Sequence, residues 1–103
     1  MIDVTPEQLS LVTNILAQFV PECEVRAFGS RVNGIPKPYS DLDLAIIGKE
    51  KIPIRTLGLL REAFEACELP FRVDILDWNA ITESFQNVIE QNYEIITMTT
   101  KLN

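Results

Sequence analysis

Residues 24–47 read EVRAFGSRVNGIPKPYSDLDLAII, and the fold turns on this stretch. Glu24 to Phe28 predicts a short strand that stops at Gly29. Asp41 to Ile47 predicts the clearest strand of the chain, because Leu42, Leu44 and Ile46 alternate with Asp41, Asp43 and Ala45. Between the two, Ser30 to Ser40 is loop-like, with Gly34, Pro36 and Pro38 as breakers, although its first residues can form one helical turn.

Upstream, Thr5, Pro6 and Gln8 mark a helix start: a capping hydroxyl, proline at the first helical position and a glutamine three residues after the cap. Leu9, Val12, Leu16 and Phe19 follow at helical spacing, and Pro21 ends the element. Downstream, Pro53 introduces a second long helix that runs to about Cys67 with Leu57, Leu60 and Phe64 on one side. A third strand is expected at Phe71 to Leu76, then a helix carrying Ile81, Phe85, Val88 and Ile89. Tyr93 to Thr97 fits either a last helical turn or a short strand, since so short an apolar run does not decide. The pattern is that of one α/β (α+β) domain over residues 1–103, a small mixed sheet of three to four strands packed by helices.

The composition, 47% hydrophobic and 23% charged over 103 residues, is that of a globular chain. A formal net charge of -6 argues against extended nucleic-acid binding, which needs clustered Lys and Arg, and would suit a basic protein partner. With no histidine, and with Cys23 and Cys67 far apart, a Cys/His zinc site and Ser/His or Cys/His catalytic pairs are excluded. The two cysteines read as buried free thiols. No signal-like start or long apolar run is present, so a cytoplasmic protein with no membrane partner is expected.

Side chains two apart on a strand share a face, so Asp41 and Asp43 must lie side by side. Alone, such a pair is as a rule simply solvated, and Gly29-Ser30 alone is an ordinary turn. Together they suggest more. Gly29 lets the backbone approach a phosphate, the opening amides of a short helix would face an anion, and the Ser30 hydroxyl adds a donor. A site using both ends requires the first two strands to be antiparallel. In the third strand Asp74 can share a face with the paired aspartates, although singly it would be a strand-end charge. Asp77, just beyond, reads as a solvated charge.

The segment FGSRVNGIPKPYSDLDLAI resembles the GS-x10-DxD signature of nucleotidyltransferases related to DNA polymerase β, and FRVDILDWNAITESF resembles the family's third-carboxylate strand and following helix. Within that superfamily the chain is similar to the minimal nucleotidyltransferases that include MntA-type antitoxins. The resemblance implies the nucleotidyltransferase fold, with Gly29, Ser30 and Arg31 binding nucleotide and Asp41, Asp43 and Asp74 serving as metal ligands and catalytic carboxylates. Mg2+ is the implied cofactor and ATP the implied substrate. Two ions about 3.5–4 Å apart would stabilise the attacking and leaving oxygens of an in-line displacement. Arg31 and Lys37 could neutralise the outer phosphates, with a solvated role equally open to Lys37. Members of the group often carry a second basic residue after the Gly-Ser pair, whereas Val32 and Asn33 follow Arg31 here, which implies a weaker phosphate grip.

The resemblance further implies a partner from the small helical HEPN family, encoded nearby and often a toxin, that receives AMP on a hydroxyl such as a tyrosine's. Two other readings stand beside it. One is a non-catalytic antitoxin that neutralises its partner by contact, and the other is transfer to a small molecule. A homo-oligomer is compatible with the sequence.

Overall fold

The computed structural model describes residues 2–34 and 40–97. Lys37 lies outside them. Helix α1 (Pro6–Phe19) begins as its sequence dictates: the Thr5 hydroxyl accepts from the Gln8 amide at 3.1 Å, and the Gln8 side chain accepts from the Thr5 amide at 2.9 Å. Strand β1 (Glu24–Phe28) leads into a single helical turn, α2 (Ser30–Asn33), and strand β2 spans Leu42–Ile47. Helix α3 (Ile54–Ala66) connects β2 to β3 (Val73–Asp77). A 3-10 turn at Trp78–Ala80 and helix α4 (Glu83–Glu90) precede β4 (Glu94–Thr97).

The strands form one mixed sheet in the order β3-β2-β1-β4. β1 runs antiparallel to both β2 and β4, whereas β2 and β3 are parallel. The parallel pair follows from chain length, since a parallel return needs a long crossover and α3 supplies it. The ambiguous last segment is a strand because the free edge of β1 offers Ile95 and Glu94 ladder partners in Arg26 and Ala27.

One face of the sheet carries the main core. Val25, Ala27, Leu42, Leu44, Ile46 and Ile75 lie in one buried cluster with Val12 and Leu16 of α1 and Leu57, Leu60 and Phe64 of α3. Leu42, Leu44 and Ile46 have no exposed surface, so the alternation in β2 is a burial pattern. Asp77 departs from its expected place in solvent. It is 6% exposed, its Oδ2 accepting from the Ile52 amide at 2.8 Å and its Oδ1 from the Asn79 amide at 3.1 Å. The reason is parity: pairing with Ile46 turns it to the helix-covered face, where two backbone amides supply the donors that a buried carboxylate requires.

On the opposite face Arg26 closes the part farthest from the aspartates. Its Nε donates to Glu24 at 2.6 Å, and its guanidinium lies 5.1 Å from the Trp78 ring and 4.4 Å from the Tyr93 ring. Two rings and one carboxylate thus hold a cation that is largely withdrawn from water. Its Nη1 is the buried side-chain atom without a hydrogen-bond acceptor among the described residues. Cys23 is buried and Cys67 half-buried, both as free thiols whose pKa burial raises, which makes them poor nucleophiles.

Candidate active site

The sheet register brings the three aspartates together. Asp43 pairs with Phe28 across the antiparallel β1–β2 ladder and with Asp74 across the parallel β2–β3 ladder, so all three residues project from one face. Asp41, two residues before Asp43, stands on the same face at the entrance to β2. The antiparallel arrangement expected of β1 and β2 therefore places the end of one strand beside the start of the next, with Gly29 adjoining Asp43.

That adjacency is close. Gly29 has φ 85° and ψ -158°, a conformation open almost only to glycine, and a Cβ there would run into the Asp43 carboxylate. The turn of α2 follows directly, with the Val32 amide donating to Gly29 O and the Gly34 amide to Ser30 O, both at 3.0 Å. Gly29 contributes no side-chain cap to this turn, and Ser30 is exposed at its start. A backbone with no Cβ, a hydroxyl and the beginning of a helical turn thus stand next to a carboxylate pair.

Arg31 has a different environment from the one expected. Its side chain turns inward, with Nε donating to Ser40 O at 2.9 Å, Nη1 donating to Asp3 O at 2.8 Å and the guanidinium 4.2 Å from the Phe71 ring. The Asp3 amide returns a bond to Arg31 O at 2.8 Å. Arg31, 6% exposed and donating to these two carbonyls, ties the end of α2 to Asp3 and Ser40.

Among the described residues the cation paired with these carboxylates is Arg72, to which the sequence reading assigned no role. Its Nη2 lies 3.1 Å from Asp41 Oδ2, and its side chain is 74% exposed. Its placement two residues before Asp74 could have signalled this, since i and i+2 share a face. The bond to Asp41 strengthens Arg72's hold on its proton, and Asp74 and Asp43 add to that. The crowding is strongest at Asp43, whose pKa is pushed up to about 6 by burial first, then by Asp74 and Asp41, against a lowering pull from Arg72.

The donor set suits a hard divalent cation. It is made of carboxylate oxygens alone, on one face, with enough mutual repulsion to favour a bound positive charge. Among the described residues no three Asp, Glu or Cys side chains already converge as a metal cage. Magnesium does not need a cage, because it keeps waters and takes phosphate oxygens as its other ligands. A cleft of about 390 Å³ between α3 and β3, lined by Arg61, Phe64, Glu65, Phe71, Arg72 and Asp74 among others, reaches one of the three carboxylates, that of Asp74. The larger cleft, about 770 Å³, lies at the other end of the sheet around Cys23, Gly48 and Lys51 and contains none of them.

The family model for polymerase β-type nucleotidyltransferases matches residues 12–101, which include Gly29, Ser30, Arg31, Asp41, Asp43, Arg72 and Asp74. The chain belongs to this family. As a nucleotidyltransferase it has a relative in Haemophilus influenzae named probable protein adenylyltransferase MntA, 47% identical over 95 residues, covering 92% of this chain and 83% of that protein. Among solved structures it resembles a toxin-antitoxin crystal structure with AMP-PNP, with TM-score 0.75, 17% identity and coverage of 88% of this chain and 73% of that one. It also resembles a complex of tri-AMPylated Shewanella oneidensis HEPN toxin with MNT antitoxin, with TM-score 0.68, 18% identity and coverage of 90% and 71%. At that identity the structural likeness establishes the nucleotidyltransferase fold. No helix among the described residues is long and apolar enough to cross a membrane.

Proposed function

We propose that this nucleotidyltransferase transfers AMP from ATP to a hydroxyl of a small helical HEPN-family protein and thereby silences a toxin. One observation carries the reading: Asp41, Asp43 and Asp74 share one face in a chain that is 47% identical to a probable protein adenylyltransferase. That structural relatives are complexes with toxins, one of them AMPylated, supports the choice of acceptor.

Each residue has a part in this scheme. Gly29 brings bare backbone against the triphosphate, and Ser30 donates its hydroxyl to a phosphate oxygen. Asp41 and Asp43 would hold Mg2+, and Asp74 would share it on the acceptor side. When bound, the metal polarises the α-phosphate and neutralises charge on the leaving oxygens. Asp74 faces the incoming hydroxyl and helps remove its proton. The acceptor oxygen then bonds to the α-phosphorus as the bond from that phosphorus to the bridging oxygen breaks, and pyrophosphate leaves. Arg31 keeps the loop carrying Gly29 and Ser30 in place from behind.

The test is the intact mass of the HEPN protein encoded beside this chain, after incubation with ATP, Mg2+ and the chain. A gain of one or more AMP units, lost on omission of Mg2+, is expected. An unchanged mass in a complex that still neutralises the toxin would replace this reading with neutralisation by contact.

A further inference from the structure

The sheet face that carries the aspartates also carries an apolar patch that the chemistry does not use. Phe28, directly across the ladder from Asp43, meets Phe85 of α4 edge to face, with ring centroids 6.1 Å apart. Val88 lies one turn further along the same side of α4, and Ile95 stands on β4 opposite Arg26, on the face shared by Phe28. Phe85, Val88 and Ile95 are 37%, 61% and 44% exposed.

The geometry points to this patch as the docking surface for the acceptor protein, which seats an apolar helix face flanked by basic side chains on Phe85, Val88 and Ile95 while its hydroxyl reaches the aspartates. The inference rests on the proposed transfer to a protein. Its first support is area. A stable interface covers about 800 Å² on each partner, a disc of roughly 16 Å radius. Phe28 is the ladder partner of Asp43, about 5 Å away between Cα atoms, and its ring meets that of Phe85 at 6.1 Å between centroids, so the patch begins inside this radius of Asp43. An interface of that size centred on Asp43 and Asp74 therefore reaches Phe85.

The second support is charge. The face bears three aspartates, its described arginines are already paired, Arg72 with Asp41 and Arg26 with Glu24, and the chain carries a net charge of -6. Lys or Arg groups beside the apolar contact would be drawn to this face, and an acidic partner would be repelled. The large apolar side chains supply burial and the carboxylates supply orientation, which is the usual division between the core and the rim of an interface.

The experiment uses the full chain and the purified HEPN-family protein encoded beside it. Val88→Glu and Ile95→Glu are compared with Ile54→Glu, an equally conspicuous apolar side chain, 86% exposed on α3 across the sheet. Calorimetry should show binding to the HEPN protein at least tenfold weaker for the first two, with Ile54→Glu at the parent value. Thermal unfolding and affinity for AMP-PNP with Mg2+ should match the parent in all three, since none of these residues touches nucleotide. Undiminished binding of Val88→Glu and Ile95→Glu overturns the docking surface while leaving the transfer reading standing. A parent chain that neither binds nor modifies the HEPN protein overturns both. A parent dimer in light scattering that Val88→Glu dissociates also overturns the inference, because a second copy then occupies the patch.

Discussion

Arg72 Nη2 rests 3.1 Å from Asp41 Oδ2, so without a metal the first aspartate of the pair is held by the chain's own cation. A divalent ion must compete with that bond. Replacing Arg72 by Gln removes the competitor and leaves the carboxylates more negative. Manganese affinity without nucleotide, followed by the loss of the free-ion resonance signal, should rise roughly two- to fivefold, the range that an exposed ion pair commands. An affinity equal to or below the parent's would show that the pair does not oppose the metal.

Asp43 sets a pH dependence whose sign is fixed by its environment. Its pKa is raised from 3.8 to about 6, so the fold favours the protonated form. The charged form costs stability above pH 6, and this cost is relieved as pH falls from 6 towards 3.8. A metal held by Asp43 as proposed would have to expel that proton, so manganese affinity should fall as pH drops through 6. In EDTA at pH 7.5, Asp43→Asn should unfold at a higher temperature than the parent, and the difference should shrink at pH 5. A variant less stable than the parent at pH 7.5 would mean that burial and the neighbouring aspartates do not disfavour the charged Asp43.

Asp74 and the paired aspartates should separate in function. Asp74→Asn keeps the shape of an exposed side chain and removes the charge that the proposed mechanism turns to the acceptor, so transfer should be lost while a measurable share of MgATP binding remains. Asp41→Asn and Asp43→Asn should weaken both. Calorimetry and intact-mass kinetics on folded variants make the comparison. Transfer by Asp74→Asn near the parent rate would remove it from the catalytic set, and Asp77, buried on the other face and bound to two amides, could not take its place.

Gly29→Ala should damage both stability and nucleotide binding. The φ of 85° imposes strain of about 1–3 kcal/mol on a residue with a Cβ, and that Cβ meets the Asp43 carboxylate. A fall of roughly 4–8 °C in the unfolding midpoint per kcal/mol is expected for a domain of this size. MgATP affinity should drop at least tenfold. Parent-like values of both would contradict the close approach.

Gly58 offers the opposite experiment. It sits inside α3, and a Cβ there would have nothing within 4 Å. Alanine should therefore gain about 1 kcal/mol from helix propensity, which corresponds to a rise of roughly 4–8 °C. The transfer rate should not change, and a lower midpoint would contradict the open space beside Gly58.

What the sequence disclosed depended on how local the deciding force was. The Thr5–Gln8 capping box and the alternation in β2 are short-range, and both formed as read. β4 stayed ambiguous because its identity depends on the free edge of β1, some 70 residues upstream. Asp77 was misplaced because its face is set by pairing with Ile46, and its donors come from the backbone of residues 52 and 79, which no side-chain pattern reveals. Arg31 was read from its position beside Ser30, whereas its direction is decided by Asp3, Ser40 and Phe71. Gly29 was read as making room for phosphate. The structure adds a neighbour within the chain itself, the carboxylate across the ladder.

The paired bonds between Asp3 and Arg31 make the first residues a lever on the loop that carries Gly29 and Ser30. A purification handle or a surface linkage attached just ahead of Ile2 would pull on that lever. If Gly29 and Ser30 bind the triphosphate as proposed, strain at Asp3 would then register as altered nucleotide affinity. Immobilised and free preparations of the enzyme are therefore comparable only when the attachment lies elsewhere.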